Sequence, residues 1–296
     1  MSSRHARPLI LAAACWGLGT VASKHALAVV PPRVLLVSQL TASVLFLAVV
    51  AIRFDRGPRP PIRAMLLGVL NPGLAYLLGL AGLAWITAGL SSMLWALEPV
   101  MVFAVAWLIL GRRYPSRLVS LGAVAVLGAI AAGAGEATGG ALLGVSLTMA
   151  AVLCCAVYTV VAAEWSGSAA SLRVVLSQQA VALCFAFGVL GATGPVDVTG
   201  VDVGGWASAL GSGILYYGLA FWAFLTGLRR TTAGVAALFL SLVPVFGVGG
   251  AWLVLAERPT PVQLAGGLVV VVAVAGSVRW SDGQFEPVGG GATTST

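Results

Sequence analysis

Charge is what this sequence has least of. Only 8% of its residues are charged, against about 25% in a soluble domain, while 59% are hydrophobic, which excludes a water-soluble globule. Histidine is nearly missing: His5 and His25 are the only two, both close to the first residue. That scarcity leaves no cluster of His and acidic metal ligands, and no nucleophile stands with a base, which counts against a membrane-embedded enzyme. The four cysteines, Cys15, Cys154, Cys155 and Cys184, fall inside apolar runs without zinc-like spacing and are expected as free, buried thiols. No Gly-rich segment is followed by the Lys-Ser/Thr pair of a phosphate-binding loop, so no cofactor or metal is expected.

Basic residues outnumber acidic ones, 16 to 9. They lie singly or in pairs between apolar runs, with no patch interleaved with aromatics, so nucleic acid is not an expected partner. The relevant solvent is membrane lipid, and the unit to count is a span of about 20 apolar residues.

Such runs fill the chain. Spans are expected near residues 8–30, 34–52, 64–85, 88–110 and 118–134, and again near 142–163, 173–193, 205–228, 233–255 and 261–279. The runs are continuously apolar rather than alternating, which predicts helices and not a barrel. Arg4 and Arg7 before the first run resemble a signal peptide, but the run is too long for a signal core. A polar Gly/Thr/Ser-rich tail from Ser281 is expected to be disordered. With a cytosolic amino terminus and ten spans, only Lys24, Arg33 and Arg258 of the 16 basic residues fall outside, which fits the positive-inside rule with both termini cytosolic.

The chain also repeats itself. Gly68, Gly73-Leu74-Ala75 and Gly82-Leu83 fall on Gly213, Gly218-Leu219-Ala220 and Gly227-Leu228 at an offset of 145 (213 − 68). The same register carries Thr87-Ala88-Gly89 to Thr232-Ala233-Gly234, Pro99-Val100 to Pro244-Val245, and Ala106-Trp107-Leu108 to Ala251-Trp252-Leu253. Earlier, Ser38-Gln39 and Phe46 match Ser177-Gln178 and Phe185 at an offset of 139 (178 − 39). Five spans per copy is an odd number, so the second copy enters the membrane from the opposite side. The expected fold is therefore an all-α polytopic membrane protein of ten transmembrane helices: a first five-helix repeat over 1–138, an inverted second over 139–280, and the tail 281–296. Inverted repeats are a transporter design, placing a site where the two copies meet.

Particular residues carry a family resemblance. Ala14-Cys15-Trp16-Gly17 opens the first span, Ser241-Leu242-Val243-Pro244-Val245-Phe246 runs on to Leu255-Ala256-Glu257-Arg258-Pro259, and Leu97-Glu98-Pro99-Val100 leads to Trp107-Leu108-Ile109-Leu110-Gly111. These resemble the EamA-type family of the drug/metabolite transporter superfamily, over residues 8–280. The resemblance implies ten helices in the cytoplasmic membrane and export of amino acids or related metabolites; it names no cargo. The acid that usually closes the signature stands as Glu257 but is replaced by Arg112 in the first half.

Glu98 is the sharpest candidate. Counted from Gly89 it lies roughly 13 Å into its helix, near the bilayer midplane, where an ionised acid costs about 2.5–3.5 kcal/mol and so faces a cavity, pairs or titrates. It is expected either to carry a coupling proton or to bind a cationic group on the substrate. Pro99 and Pro244 free the carbonyls of Trp95 and Leu240 and are expected to kink two gating helices. Trp16, Thr20, Gln39, Asn71, Tyr76 and Trp95 in the first half, with Tyr158, Gln178, Tyr216, Tyr217 and Trp222 in the second, are candidate lining for a small-molecule pocket. Lys24, the chain's single lysine, is expected to snorkel to the headgroups. The expected function is a secondary transporter of a small metabolite, the alternatives being an embedded enzyme or a non-transporting assembly subunit.

Overall fold

The computed structural model describes residues 3–54, 60–111, 115–134, 140–166, 172–228, 239–240 and 242–282. Among these the chain is helical, without strands. The helices are α1 (Ser3–Ala26), α2 (Pro32–Phe54), α3 (Ile62–Leu83), α4 (Ala88–Leu110), α5 (Ser116–Ala134), α6 (Ala141–Ser166), α7 (Leu172–Ala192), α8 (Val203–Gly227), α9 (Val243–Leu255) and α10 (Pro261–Asp282). Six of them, α2, α3, α4, α6, α7 and α8, are long and apolar enough to cross a membrane. Shorter apolar helices are Val119–Ala132 within α5, α9, and Pro261–Gly276 within α10. α1 carries basic residues at both ends and is not among the six. Positions 233–238 and 241 of the expected ninth span and 283–296 of the expected tail lie outside the described residues.

Local chemistry sets the ends. Thr87 caps α4, its hydroxyl accepting from the Leu90 amide, and Asp202 caps α8 by accepting from the Gly205 amide at 2.7 Å. Thr260 and Gln263 form a reciprocal capping box at the start of α10: the Thr260 amide donates to Gln263 Oε1 at 2.8 Å and the Gln263 amide to Thr260 Oγ1 at 3.2 Å. In the α7–α8 connection, the Thr199 hydroxyl and amide both donate to Asp197, holding that exposed carboxyl below the usual range.

In α4 the helical bonding is interrupted between Trp95 and Glu98, with Pro99 in the first turn of the second part; in α9, Pro244 likewise occupies the first turn. Proline lacks the amide that a first turn would leave unsatisfied in any case, which suits both positions. The two helices match in length and ending: Glu98–Leu110 closes on left-handed Gly111 (φ 65°), and Val243–Leu255 on left-handed Ala256 (φ 54°). Widened turns interrupt α3 at Leu70–Leu74, where Asn71 leaves helical geometry, and α8 at Ile214–Leu219.

The larger helix contacts follow one pattern. α1 lies on α8 and α9, as α6 lies on α3 and α4; α2 contacts α8 as α7 contacts α3; α2 pairs with α7, α4 with α9 and α5 with α10. Exchanging α1–α5 for α6–α10 leaves this set unchanged. Close approaches obey the same exchange. A Cβ on Gly68 would strike the Gln178 backbone and one on Gly213 the Gln39 backbone; Gly73 abuts Phe185 as Gly218 abuts Phe46. A large buried cluster joins α1, α2, α3, α6, α7 and α8, while a second holds α4, α5 and α10 together. Apolar side chains also cover the outside, with Trp107 and Trp252 both 59% exposed and Leu108 and Leu253 at 77% and 76%. Such a surface suits hydrocarbon and not water.

Candidate functional site

The break in α4 sets the site. Glu98 stands in the first turn of the second half of α4, where the partial positive charge of a helix N-terminus favours a carboxylate. The Thr159 hydroxyl of α6 donates to it. Tyr76, Cys155, Tyr158 and Tyr216 lie within its electrostatic reach, from α3, α6 and α8. The carboxylate is thus partly buried where elements of both halves converge.

Aromatic rings cluster beside it. Tyr76 stacks on Trp95 at 5.4 Å, meets Tyr216 edge-on at 5.5 Å and lies 4.8 Å from Tyr217, which is 5.2 Å from Tyr216. Thr20 donates to the Trp16 carbonyl at 3.0 Å, and the Tyr216 hydroxyl is hydrogen-bonded with Thr20 and Tyr76. Opposite, the Tyr158 hydroxyl donates to Gln178 Oε1 at 2.9 Å, and Gln178 Nε2 donates to the Ala64 carbonyl at 2.8 Å. Two buried polar atoms in this region, Asn71 Oδ1 and the Tyr217 hydroxyl, have no hydrogen-bond partner in the structure.

Of the sequence candidates, the structure brings Glu98, Trp95, Thr20, Tyr76, Tyr158, Gln178, Tyr216 and Tyr217 together. Others sit apart. Gln39 is fully buried between α1, α2 and α8, donating to Ser23 and Ser212 hydroxyls at 2.8 Å each, as a bridge between helices. Trp16 packs edge-on against Phe221 and Phe224 at 5.3 and 5.5 Å. Trp222 stacks near Phe54 at 6.3 Å in a separate cluster with Leu47 and Val50. Lys24 does not reach for headgroups: its Nζ donates to the Leu83 carbonyl at 2.8 Å. All four cysteines are free, but Cys184 is exposed and Cys154 only partly buried.

Thr159 and Cys155 were missed. Both lie in an apolar helix next to recognised residues, and only the packing of α6 on α4 turns them toward Glu98. Among the described residues no group of three His, Cys, Asp or Glu could hold a metal.

The model of the EamA-like transporter family matches residues 8–133 and, separately, 142–279. The chain belongs to the EamA-like transporter family. It is a multi-pass membrane protein, and the family is one of transporters. Each of the two matched ranges covers a little under half of the chain. One crystal structure is similar in fold, with a TM-score of 0.66 over 94% of this chain and 99% of that one, at 17% identity. No curated protein matches.

Proposed function

We propose that this EamA-family chain is a secondary transporter that moves a small metabolite across the cytoplasmic membrane by alternating access. In this reading ten spans form two inverted five-helix repeats, 1–138 and 139–280, with both termini cytosolic, and transport runs outward. The exchange-invariant packing and the reciprocal contacts of Gly68 and Gly213 support the duplication. Retention of most arginines on one face supports the orientation.

One observation carries the choice of site: Glu98 stands at the break in α4, among groups from both halves. Discontinuous helices near the midplane are where transporters build cargo sites, because the break leaves backbone groups and a helix terminus to offer. Glu98 either receives a proton that exchanges for cargo or holds a cationic group on it; Tyr76, Trp95, Tyr216 and Tyr217 supply the apolar wall. In this reading Gln39 serves as a bridge between helices, and Trp16 and Trp222 pack against phenylalanines, so these three are not among the proposed cargo residues. No catalytic role is assigned to any residue.

The test is counterflow by the purified protein in liposomes, across labelled amino acids and cationic metabolites, with and without a pH gradient. Glu98→Gln is expected to slow transport at least about tenfold, the scale of one lost charged hydrogen bond, and to flatten its pH profile. Unchanged rate and profile would remove Glu98 from the mechanism.

A further inference from the structure

The connection between α3 and α4 is gripped from two sides. Its helix ends leave the Leu83 and Ala84 carbonyls and the Ala88 and Gly89 amides without partners inside their helices. Lys24 of α1 donates from Nζ to the Leu83 carbonyl at 2.8 Å and the Ala84 carbonyl at 3.4 Å. Glu257, between α9 and α10, accepts from the Ala88 amide at Oε1, 2.9 Å, and from the Gly89 amide at Oε2, 3.1 Å. A cation therefore closes the C-terminus of one helix and an anion the N-terminus of the next, each matched to the helix dipole it meets.

Glu257 is aimed there by its backbone. Ala256 occupies the left-handed region (φ 54°), uncommon for a residue with a side chain, and this turn lets the Glu257 amide donate to the Ala251 carbonyl at 3.2 Å. The seat is tight: the cavity beside it, lined by Thr87, Gly89, Met93, Val248 and Glu257, holds about 20 Å³, room for a water and no cargo.

We infer that Lys24 and Glu257 form a latch that holds the face opposite the chain termini closed, with Glu257 joining the second half of the chain to the first. The inference rests on the alternating-access reading. Under it, opening this face requires α4 to part from the α9–α10 connection, and Glu257 bridges that line. The register places Arg112 against Glu257 (257 − 145) and Ala163 against Lys24 (24 + 139), so neither latch residue is repeated in the other half of the sequence.

The experiment uses the full-length chain in liposomes with spin labels on Ala84→Cys and Arg258→Cys, both exposed, in a background lacking the native cysteines. The unlatched variants are Glu257→Gln, Lys24→Met and the double variant; Glu257→Asp and Lys24→Arg keep the charges. A single short distance is expected in the parent and in Lys24→Arg, with a longer population raised about tenfold or more in the double variant. Identical distance distributions in parent and double variant would overturn the latch, provided both elute as the same monodisperse species. Counterflow on the same samples separates the two readings: widening without counterflow of any cargo keeps the latch and removes the carrier, and counterflow without widening does the reverse.

Discussion

A carboxylate near the middle of a membrane helix must be stabilised by something, and for Glu98 two contributions are visible. The start of a helix supplies a favourable dipole, worth about 0.3–1 kcal/mol and up to about 2 when partly buried, and Thr159 supplies a hydrogen bond. Thr159→Val keeps the shape of the side chain and removes only the hydroxyl. It is expected to lower stability by about 1–3 kcal/mol, because the carboxylate loses a buried partner, and to slow counterflow, because Glu98 loses the group that orients it. Thermal unfolding in detergent and counterflow measure the two effects; a loss of stability with unchanged counterflow would mean that Thr159 only packs. Glu98 was legible in the sequence because an acid in an apolar run is conspicuous. Thr159 was not, because a threonine in a helix normally satisfies itself on its own backbone, and its use here depends on which face α6 presents to α4.

Breaks in helices were partly legible. Pro72 and Pro99 mark the interruptions of α3 and α4, and Pro244 the first turn of α9, since each removes an amide. The widened turn Ile214–Leu219 in α8 has no proline: the register puts Tyr217 where α3 has Pro72. There the freed Tyr217 carbonyl is taken by Gln179 Nε2 at 3.1 Å, while Gln179 Oε1 accepts from Ser43 at 2.6 Å. A side chain from α7 thus does what a proline does in α3, and no local pattern in α8 announces it. The same reasoning predicts the effect of Pro99→Ala. An amide at position 99 can bond the Trp95 carbonyl and let α4 run through, so stability should hold or rise, while counterflow falls several-fold as the break that displays Glu98 closes. Amide exchange across residues 95–99, slowed in the variant, would check the structural half of that statement.

At the scale of the molecule, the proposed duplication is testable through glycine alone. Gly68 and Gly213 lie where two backbones touch, each against the glutamine of the other half, Gln178 and Gln39. Periodic apolar sequence could not reveal this, since a glycine in a membrane helix looks the same whether it faces lipid or another helix. Gly188 and Gly211 have open space where a Cβ would stand. Alanine at 68 or 213 must push a helix backbone away, an overpacking cost of about 1–3 kcal/mol, whereas alanine at 188 or 211 gains helix propensity of up to about 1 kcal/mol. Thermal unfolding of the four variants in one detergent should therefore divide them into two pairs of opposite sign, with Gly68→Ala and Gly213→Ala losing similar amounts. If only one of that pair proved costly, the two halves would not be packed as equivalents, and alternating exchange between them would lose its structural basis.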